Sequence, residues 1–378
     1  MAIPTEPIGS IPRPPALIEA ERGFRSGRIT EAELLSLYDS AVQDTIARFE
    51  ATGSKVVTDG EQAKESFATY PIHGLTNIAA DGISIPFADG HIRQFPRLSE
   101  GPFRYRTPAD VYLEIAQRYA HVPVKQAVIS PSALSLLYPQ SAIPGYSREE
   151  YFDALLREQE GEIRRCLQRG AHAVQIDFTE GRLSIKLDPT GRLLRSFIDL
   201  NNLLLERFSA EERTRIGVHT CHGADRDSTH SAGIDYAELL PSLFELKAGN
   251  IYMQLASEPD RKRVLKMVRE YKKSHQRVFV GVINVLERRV ETPEEVRDRV
   301  LEAAEYIPLD QLGTTDDCGF APFSDDTSRS RDTAFAKICA RVAGTQLAAR
   351  ILGIDQGRDS ESDHLGAPQE GKRSLVED

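Results

Sequence analysis

The chain has 378 residues, with 47 lysines and arginines against 57 aspartates and glutamates, so its formal net charge is −10. This acidic balance argues against a general nucleic-acid binder or a protein that binds anionic membranes. The sequence has no run of eighteen apolar residues and its N-terminus lacks the regions of a secretory signal, so neither a membrane span nor export is expected.

Short β-rich runs alternate with longer amphipathic segments along the chain. Several of these runs are almost continuously apolar, which is typical of strands buried on both faces of a parallel sheet. The predicted strands are Pro7–Pro12, Lys55–Asp59, Lys125–Ser130, Ala173–Asp177, Ile216–Thr220, Ile251–Ala256, Val278–Asn284 and Leu312–Thr315.

Helical patterns separate these strands. Two helices are expected to begin with a capping box, one from Ser147 to Glu150 and one from Thr292 to Glu295. Eight strands alternating with helices predict an α/β fold of the (β/α)8 TIM-barrel type. A doubly wound open sheet is the alternative, but no GxGxxG follows any predicted strand to support it.

The segment from about residue 60 to residue 107 interrupts the alternation. Its sequence ADGISIPFADGHIRQFPR combines turn residues with period-two runs and predicts a β-hairpin inserted after the second strand. We therefore expect one catalytic domain over residues 1–355 that includes this insertion. The tail 356–378 has no apolar stripe and is expected to be disordered.

In a barrel of this type the working residues follow the carboxyl ends of the strands. Carboxylate, amide, imidazole and thiol side chains follow five of the predicted strands. They are Asp59, Glu61 and Gln62 after the second strand, Asp177 and Glu180 after the fourth, His219, Cys221 and His222 after the fifth, Gln254 and Glu258 after the sixth, and Asp316, Asp317 and Cys318 after the eighth.

The sharpest of these features is the pair His219 and Cys221. Residues i and i+2 of an extended strand point to the same side, so both side chains can face one ion, and Cys318 ends another strand of the same barrel. One imidazole and two thiolates form a soft, zinc-type ligand set. The alternative is a buried histidine with two inert thiols. The four cysteines are too few and too dispersed for a disulfide framework, so we expect a cytoplasmic protein with reduced thiols, of which Cys166 and Cys339 are core or surface thiols.

Zinc with two thiolate ligands favours alkyl transfer to sulfur. The ion lowers the pKa of a coordinated thiol, and the resulting thiolate attacks an electrophilic carbon. A zinc hydrolase, in which the metal activates water, is the competing interpretation, although its ligands are more often histidines and carboxylates.

Five short motifs occur in order along nearly the whole chain, from about residue 5 to residue 352. They are IGSIP near the N-terminus, TDGE, VQID, HTCHG and TTDDCG. In this set the chain resembles the catalytic barrel of cobalamin-independent methionine synthase. The resemblance implies that His219, Cys221 and Cys318 bind zinc. It also implies that the thiol substrate lies near the turn from Ile8 to Ser10 and contacts Glu61 and Asp177.

The chain departs from that family at two places. The fourth zinc ligand of the family is a glutamate shortly after the sixth strand, where this sequence has Gln254, with Glu258 four residues on. We assign Gln254 to substrate binding. The DEP motif of the family reads DFTEG here. Both departures bear on the contacts made by homocysteine and folate.

A single barrel with HxC and a distant cysteine also resembles epoxyalkane:coenzyme M transferase, which is the first functional hypothesis. This resemblance implies that a zinc-bound coenzyme M thiolate opens an aliphatic epoxide to a 2-hydroxyalkyl thioether. The sulfonate would need a cationic pocket, for which Arg93 and Arg97 are candidates, and the developing alkoxide would need a proton donor such as His222 or Asp317.

Two alternatives remain open. One is a compact methionine synthase that methylates homocysteine from a folate or corrinoid donor, and the other is an inactive barrel that binds a corrinoid or a pterin. In each active reading the cofactor is Zn²⁺ and the partners are a small-molecule thiol and an electrophile. A second copy of the chain is a further candidate partner, whereas nucleic acid and membrane are not expected.

Overall fold

The computed structural model describes residues 2–354, so the tail 356–378 lies outside the described residues. Its strands, in chain order, are β1 (Ile78–Ala79), β2 (Ser84–Pro86), β3 (Ile92–Gln94), β4 (Arg97–Leu98), β5 (Gln126–Ile129), β6 (Val174–Asp177), β7 (Ile216–Thr220), β8 (Ala224–Asp225), β9 (Ser228–Thr229), β10 (Asn250–Met253), β11 (Arg277–Ile283) and β12 (Leu312–Asp316). Six of these strands form a parallel sheet in the order β12-β11-β10-β7-β6-β5.

The six-stranded sheet corresponds to the last six predicted strands. Every residue of β5, β6, β7, β10 and β12 is buried, as expected of strands covered on both faces. Pairing of β6 with β7 sets Asp177 directly beside His219. The carboxyl ends of all six strands therefore meet at one edge, because the strands run in the same direction.

Of the first two predicted strands, Lys55–Asp59 is present only as a single parallel bridge, and Pro7–Pro12 is not a strand, because the N-terminal bridge lies two residues before it. Thr5 bridges Thr314 of β12, and Val57 bridges Val124 just before β5. A regular ladder of eight strands is therefore not formed within residues 2–354. Proline explains the weakness of the first segment, because Pro4, Pro7 and other prolines of the N-terminal stretch have no N–H to donate to a ladder.

Twelve helices surround the sheet within the described residues: α1 (Pro15–Arg25), α2 (Glu31–Ala51), α3 (Asp110–Gln117), α4 (Pro131–Ser135), α5 (Arg148–Gln168), α6 (Glu180–Leu187), α7 (Arg192–Leu205), α8 (Ala210–Arg213), α9 (Leu240–Leu243), α10 (Arg261–Tyr271), α11 (Pro293–Ala304) and α12 (Arg331–Ile351). The capping boxes predicted for α5 and α11 are confirmed. Across this range no helix is both long and apolar enough to span a bilayer.

The segment 60–107 contains two antiparallel strand pairs, β1 with β4 and β2 with β3. The β2–β3 pair lies against the β8–β9 pair, which follows β7. The amide of Ala88 donates to the carbonyl of Thr229 at 3.0 Å, and the amide of Asp89 donates to Ser228 Oγ at 3.2 Å. This contact brings residues of the 60–107 segment over the edge at which the strands end.

Candidate metal centre and substrate cavity

Three side chains from two distant parts of the chain meet at the carboxyl edge of the sheet. His219 lies in β7, Cys221 follows it, and Cys318 follows β12. One potential ligand atom from each residue lies within 4.8 Å of the others, and the two Sγ atoms are 2.9 Å apart. All three residues are buried and both cysteines are free. The sequence-predicted trio is therefore brought together.

The imidazole of His219 is held in one orientation. Its Nδ1 lies 3.1 Å from Oδ1 of Asp177, so the N–H of the ring is on Nδ1. The other ring nitrogen, Nε2, is buried and has no hydrogen-bond partner within residues 2–354. A bare Nε2 beside two thiols is the donor set that a soft divalent cation requires. The residues present therefore fit a metal ion of the zinc type.

A chain of buried, hydrogen-bonded polar groups orients the Asp177 carboxylate. The Gln175 amide donates to Asp177 Oδ1 at 2.7 Å, and Lys125 Nζ donates to Gln175 Oε1 at 2.9 Å. Lys125 also lies 3.5 Å from Glu6, and burial lowers its pKa to about 8. Sequence reasoning missed this support. The VQID motif contains Gln175, two residues before Asp177 on the same face of β6, which is the pattern that could have revealed it.

A cavity of about 370 Å³ opens directly beside the trio. Seven sequence-predicted site residues line it, together with aliphatic and aromatic side chains from the surrounding loops. The predicted residues are Ile8, Ser10, Glu61, Arg93, Asp177, His219 and Cys318. The apolar lining includes Phe67, Ile85, Phe87, Phe95, Ile129 and Phe323. A small, mainly apolar molecule with one polar end fits this lining.

Glu61 is held in the cavity by an unusual backbone. Its φ is 56°, in the left-handed region that non-glycine residues rarely adopt. The guanidinium of Arg13 donates to the carbonyl of Glu61 at 2.6 Å and fixes this conformation. Burial raises the pKa of Glu61 to about 7. The negative charge of Asp177 acts in the same direction, and the positive charge of Lys64 opposes the shift. The Oε2 atom has no partner within residues 2–354.

Glu180, which the sequence analysis places after the fourth strand without a specific role, contributes another carboxylate to the cavity. It is the first residue of α6 and lies three positions after Asp177, in the DFTEG sequence. The Ser130 hydroxyl donates to its Oε1 at 2.6 Å, and the Ser132 hydroxyl donates to the same atom. Burial raises the pKa of Glu180 to about 7. The cavity is therefore rich in carboxylates.

A family model described as the catalytic domain of cobalamin-independent synthase matches residues 3–337. The chain belongs to this family. Among related proteins, the methionine synthase of Sulfurisphaera tokodaii is 23% identical over 360 residues, covering 93% of this chain and 94% of that protein. The uncharacterized protein YxjH of Bacillus subtilis is 23% identical over 349 residues, covering 88% and 90% respectively.

Solved structures agree on the fold of this synthase family. The B12-independent methionine synthase of Shewanella sp. W3-18-1, in complex with selenomethionine, has a TM-score of 0.74 at 20% identity and covers 93% of this chain and 99% of that one. The Listeria monocytogenes protein described as a putative vitamin-B12 independent methionine synthase has a TM-score of 0.68 at 19% identity, with 92% and 98% covered. These comparisons favour the methionine synthase alternative and give no support to the epoxide hypothesis.

The residues predicted to bind a sulfonate are engaged elsewhere. Arg93 lines the cavity, but its guanidinium bonds to Asp225 at 2.5 Å and to Asp325 at 2.8 Å. Arg97 does not line the cavity and pairs with Asp81 at 2.9 Å. Both charges are already neutralised by carboxylates, so neither residue is free to receive a sulfonate. The assignment of these two arginines to substrate binding stays a prediction, and this geometry does not favour it.

Gln254 and Glu258, the residues expected near the position of the family's fourth ligand, contact other groups. Gln254 Oε1 accepts a hydrogen bond from the His222 amide at 2.8 Å and another from the His222 ring. Its amide donates to Glu258 at 2.5 Å, and Arg182 holds the same carboxylate at 2.9 Å. Neither Gln254 nor Glu258 belongs to the group of potential ligand atoms in residues 2–354. Within residues 2–354 the group that could hold a metal ion thus consists of His219, Cys221 and Cys318.

Two predicted proton donors have structural partners instead. The ring N–H of His222 faces Gln254, and burial lowers the pKa of His222 to about 4, so the ring is neutral at pH 7. The Asp317 carboxylate accepts the amides of Leu255, Ala256 and Ser257 at 2.7–2.9 Å. Neither residue lines the cavity. Both therefore act on the loops after β7 and β10, and their assignment as proton donors is corrected.

Proposed function

We propose that this protein is a zinc-dependent methyltransferase that methylates the thiol of homocysteine, as a compact methionine synthase. One observation carries the proposal: the bare Nε2 of His219 and the two sulfurs of Cys221 and Cys318 meet beside a cavity lined by carboxylates. The match to the synthase family and the names of its relatives support the same activity.

The three side chains would hold the zinc ion, and Asp177 would fix the imidazole. Zinc, when bound, supplies Lewis acidity that keeps an incoming thiol in its thiolate form. The protein itself orients the ligand side chains. Asp177 keeps the N–H of His219 on Nδ1, and the Gln175 amide keeps the Asp177 carboxylate in place. The ligands are therefore oriented before substrate arrives.

The polar end of homocysteine is proposed to lie among Glu61, Asp177 and Ser10. The buried carboxylate of Glu61 offers an unpartnered oxygen to the substrate ammonium group. A charged group that replaces the lost hydration of that oxygen removes the cost of burying it. The apolar wall of the cavity excludes water from the reacting sulfur, which strengthens every charge interaction there.

The test combines metal analysis with product detection. Purified full-length protein is expected to contain about one zinc per chain and to form methionine from homocysteine with methylcobalamin or a methylfolate as the donor. Propene oxide with coenzyme M is expected to give no thioether. A protein that forms the thioether and no methionine would reverse the proposal. A protein that binds methylcobalamin without zinc would favour the inactive barrel.

A further inference from the structure

Glu180 has a buried carboxylate oxygen that no contact explains. The hydroxyls of Ser130 and Ser132 both donate to Oε1. The other oxygen, Oε2, is buried and has no hydrogen-bond partner within residues 2–354. The residue itself lines the cavity. The two serine hydroxyls account for Oε1, and the favourable position of an acidic residue in the first turn of α6 gives Oε2 no partner.

No cation of the described chain pairs with this carboxylate. None of the ion pairs within residues 2–354 includes Glu180. The two arginines that line the cavity already contact carboxylates, Arg25 with Glu65 and Arg93 with Asp325. A buried carboxylate without a partner is costly, so a ligand that brings a positive charge would be bound with a gain.

The surroundings hold Glu180 in a fixed position. Ser130 ends the β5 segment and caps α4, and Ser132 lies in the first turn of α4. The amide of Asn201, in α7, donates to Ser132 Oγ at 2.6 Å. Three elements of the fold thus orient one side chain. An acceptor fixed in this way loses little freedom when a ligand binds, which favours tight and selective recognition.

We propose that Glu180 binds the ammonium group of the substrate through Oε2 and makes the cavity selective for ligands that carry a positive charge. This inference rests on the proposed function only in taking the substrate to be a thiol. The recognition of an ammonium group does not depend on that function. It adds a specificity residue to Glu61 and Asp177. Burial raises the pKa of Glu180 to about 7, and a cation bound beside the carboxylate would lower it.

The test compares ligands that differ only in the ammonium group. Calorimetric titration of the zinc-loaded full chain uses homocysteine against 4-mercaptobutanoate, and norleucine against hexanoate. We expect Glu180→Gln to weaken homocysteine and norleucine by roughly tenfold or more, because one charge-assisted hydrogen bond is lost. The two ligands without an ammonium group should keep their affinities. Glu270→Gln, which changes an exposed glutamate of α10, is the matched control.

A second variant guards against a folding defect. Ser132→Ala leaves the carboxylate in place but removes one of its two hydroxyl donors. It should weaken the same two ligands by a smaller factor. Unchanged affinities in both variants would overturn the inference, as would a wild-type protein that binds norleucine no better than hexanoate.

The outcomes separate this inference from the proposed function. Methionine formation by Glu180→Gln with the wild-type KM would reject the role of Glu180 and leave the synthase activity intact. Conversely, wild-type protein that forms no methionine, but loses norleucine affinity in Glu180→Gln, would reject the activity and support ammonium recognition.

Discussion

The Nδ1 atom of His219 lies 3.1 Å from Oδ1 of Asp177, and the pairing of β6 with β7 places the two residues side by side. The contact decides which nitrogen of the ring is free. Since Nδ1 carries the proton, Nε2 is left to bind a metal ion. The pairing of the strands therefore determines which nitrogen of His219 is available as a metal ligand.

Removal of the Asp177 carboxylate should weaken metal binding. Asp177→Ala frees the imidazole to rotate, so zinc affinity is expected to fall by roughly 10–100-fold. Asp177→Asn retains an acceptor for Nδ1 and should cost less. Zinc competition with a chromogenic chelator measures both. Asp199→Ala, on the exposed face of α7, is the control. Equal affinities for Asp177→Ala and wild type would show that the contact does not orient the ring.

Both Cys221 and Cys318 should be essential for zinc binding and for methyl transfer. Cys221→Ala and Cys318→Ala each remove one of three protein ligands, so both variants are expected to lose zinc and methyl transfer together. Cys339→Ala changes an exposed cysteine of α12 and should retain both properties. Metal content by mass spectrometry and methionine formation are the measurements. Full zinc content in Cys318→Ala would exclude this residue from the centre.

The glycine of HTCHG should be needed for the geometry of the thiol. Gly223 has φ +70°, a Cβ added there would overlap the His230 ring, and its amide donates to Cys221 Sγ at 3.3 Å. Gly223→Ala is expected to reduce zinc affinity and stability, the latter by about 1–3 kcal/mol. Gly233→Ala has a similar φ of +80° and open space, and isolates the backbone strain. If the two variants behave alike, the His230 contact is irrelevant.

Arg93 should contribute more to stability than Arg97. Arg93 ties β3 to Asp225, whose side chain is fully buried, and to the half-exposed Asp325. Arg93→Ala is expected to lower the free energy of unfolding by about 1–3 kcal/mol because Asp225 loses a charged partner. Arg97→Ala breaks an exposed pair with Asp81 and should cost less than about 1 kcal/mol. Denaturant titrations measure both changes.

Glu162 should make stability fall as pH rises. It lies outside the cavity, accepts hydrogen bonds from Tyr70 and from the Ala109 amide, and burial raises its pKa from 4.5 to about 7. Between these values the folded state keeps a proton that the unfolded state has lost, so stability decreases through this range.

The matching variant removes that dependence. Glu162→Gln should melt about 2–4 °C higher than wild type at pH 8 and show no such gain at pH 4. Glu149→Gln, at an exposed position of the same helix, is the control. Parallel pH profiles of melting temperature for wild type and Glu162→Gln would contradict the assignment.

The sequence predicted the parts of the fold that depend on local pattern. Apolar runs identified six strands, and the strand ends identified His219, Cys221 and Cys318, because parallel strands place their ends together. The first two strands were overestimated. The prolines of Pro7–Pro12 disfavour a ladder there, Lys55–Asp59 forms a single bridge, and a β-rich run alone does not show how many partners a strand has.

Side-chain partners could not be predicted in the same way. Arg93 and Gln254 were assigned to substrate binding from their residue type and position, yet Arg93 is engaged by Asp225 and Gln254 by His222. Glu180 was placed after the fourth strand but given no role, because its significance depends on the contact with Ser130 and on a buried oxygen, and both arise only from packing. Charge and residue type alone do not reveal whether a group is already paired.

Cys221 and Cys318 are 97 residues apart in the chain, and β10 and β11 lie between their strands in the sheet. A cation held by both sulfurs would therefore act as a long-range crosslink that only the native topology can make. Metal uptake would then be coupled to conformational stability, because an ion that binds the native state alone shifts the folding equilibrium by mass action. Removal of the ion by a chelator would therefore destabilise the part of the sheet from β7 to β12, and resistance to proteolysis would measure metal occupancy.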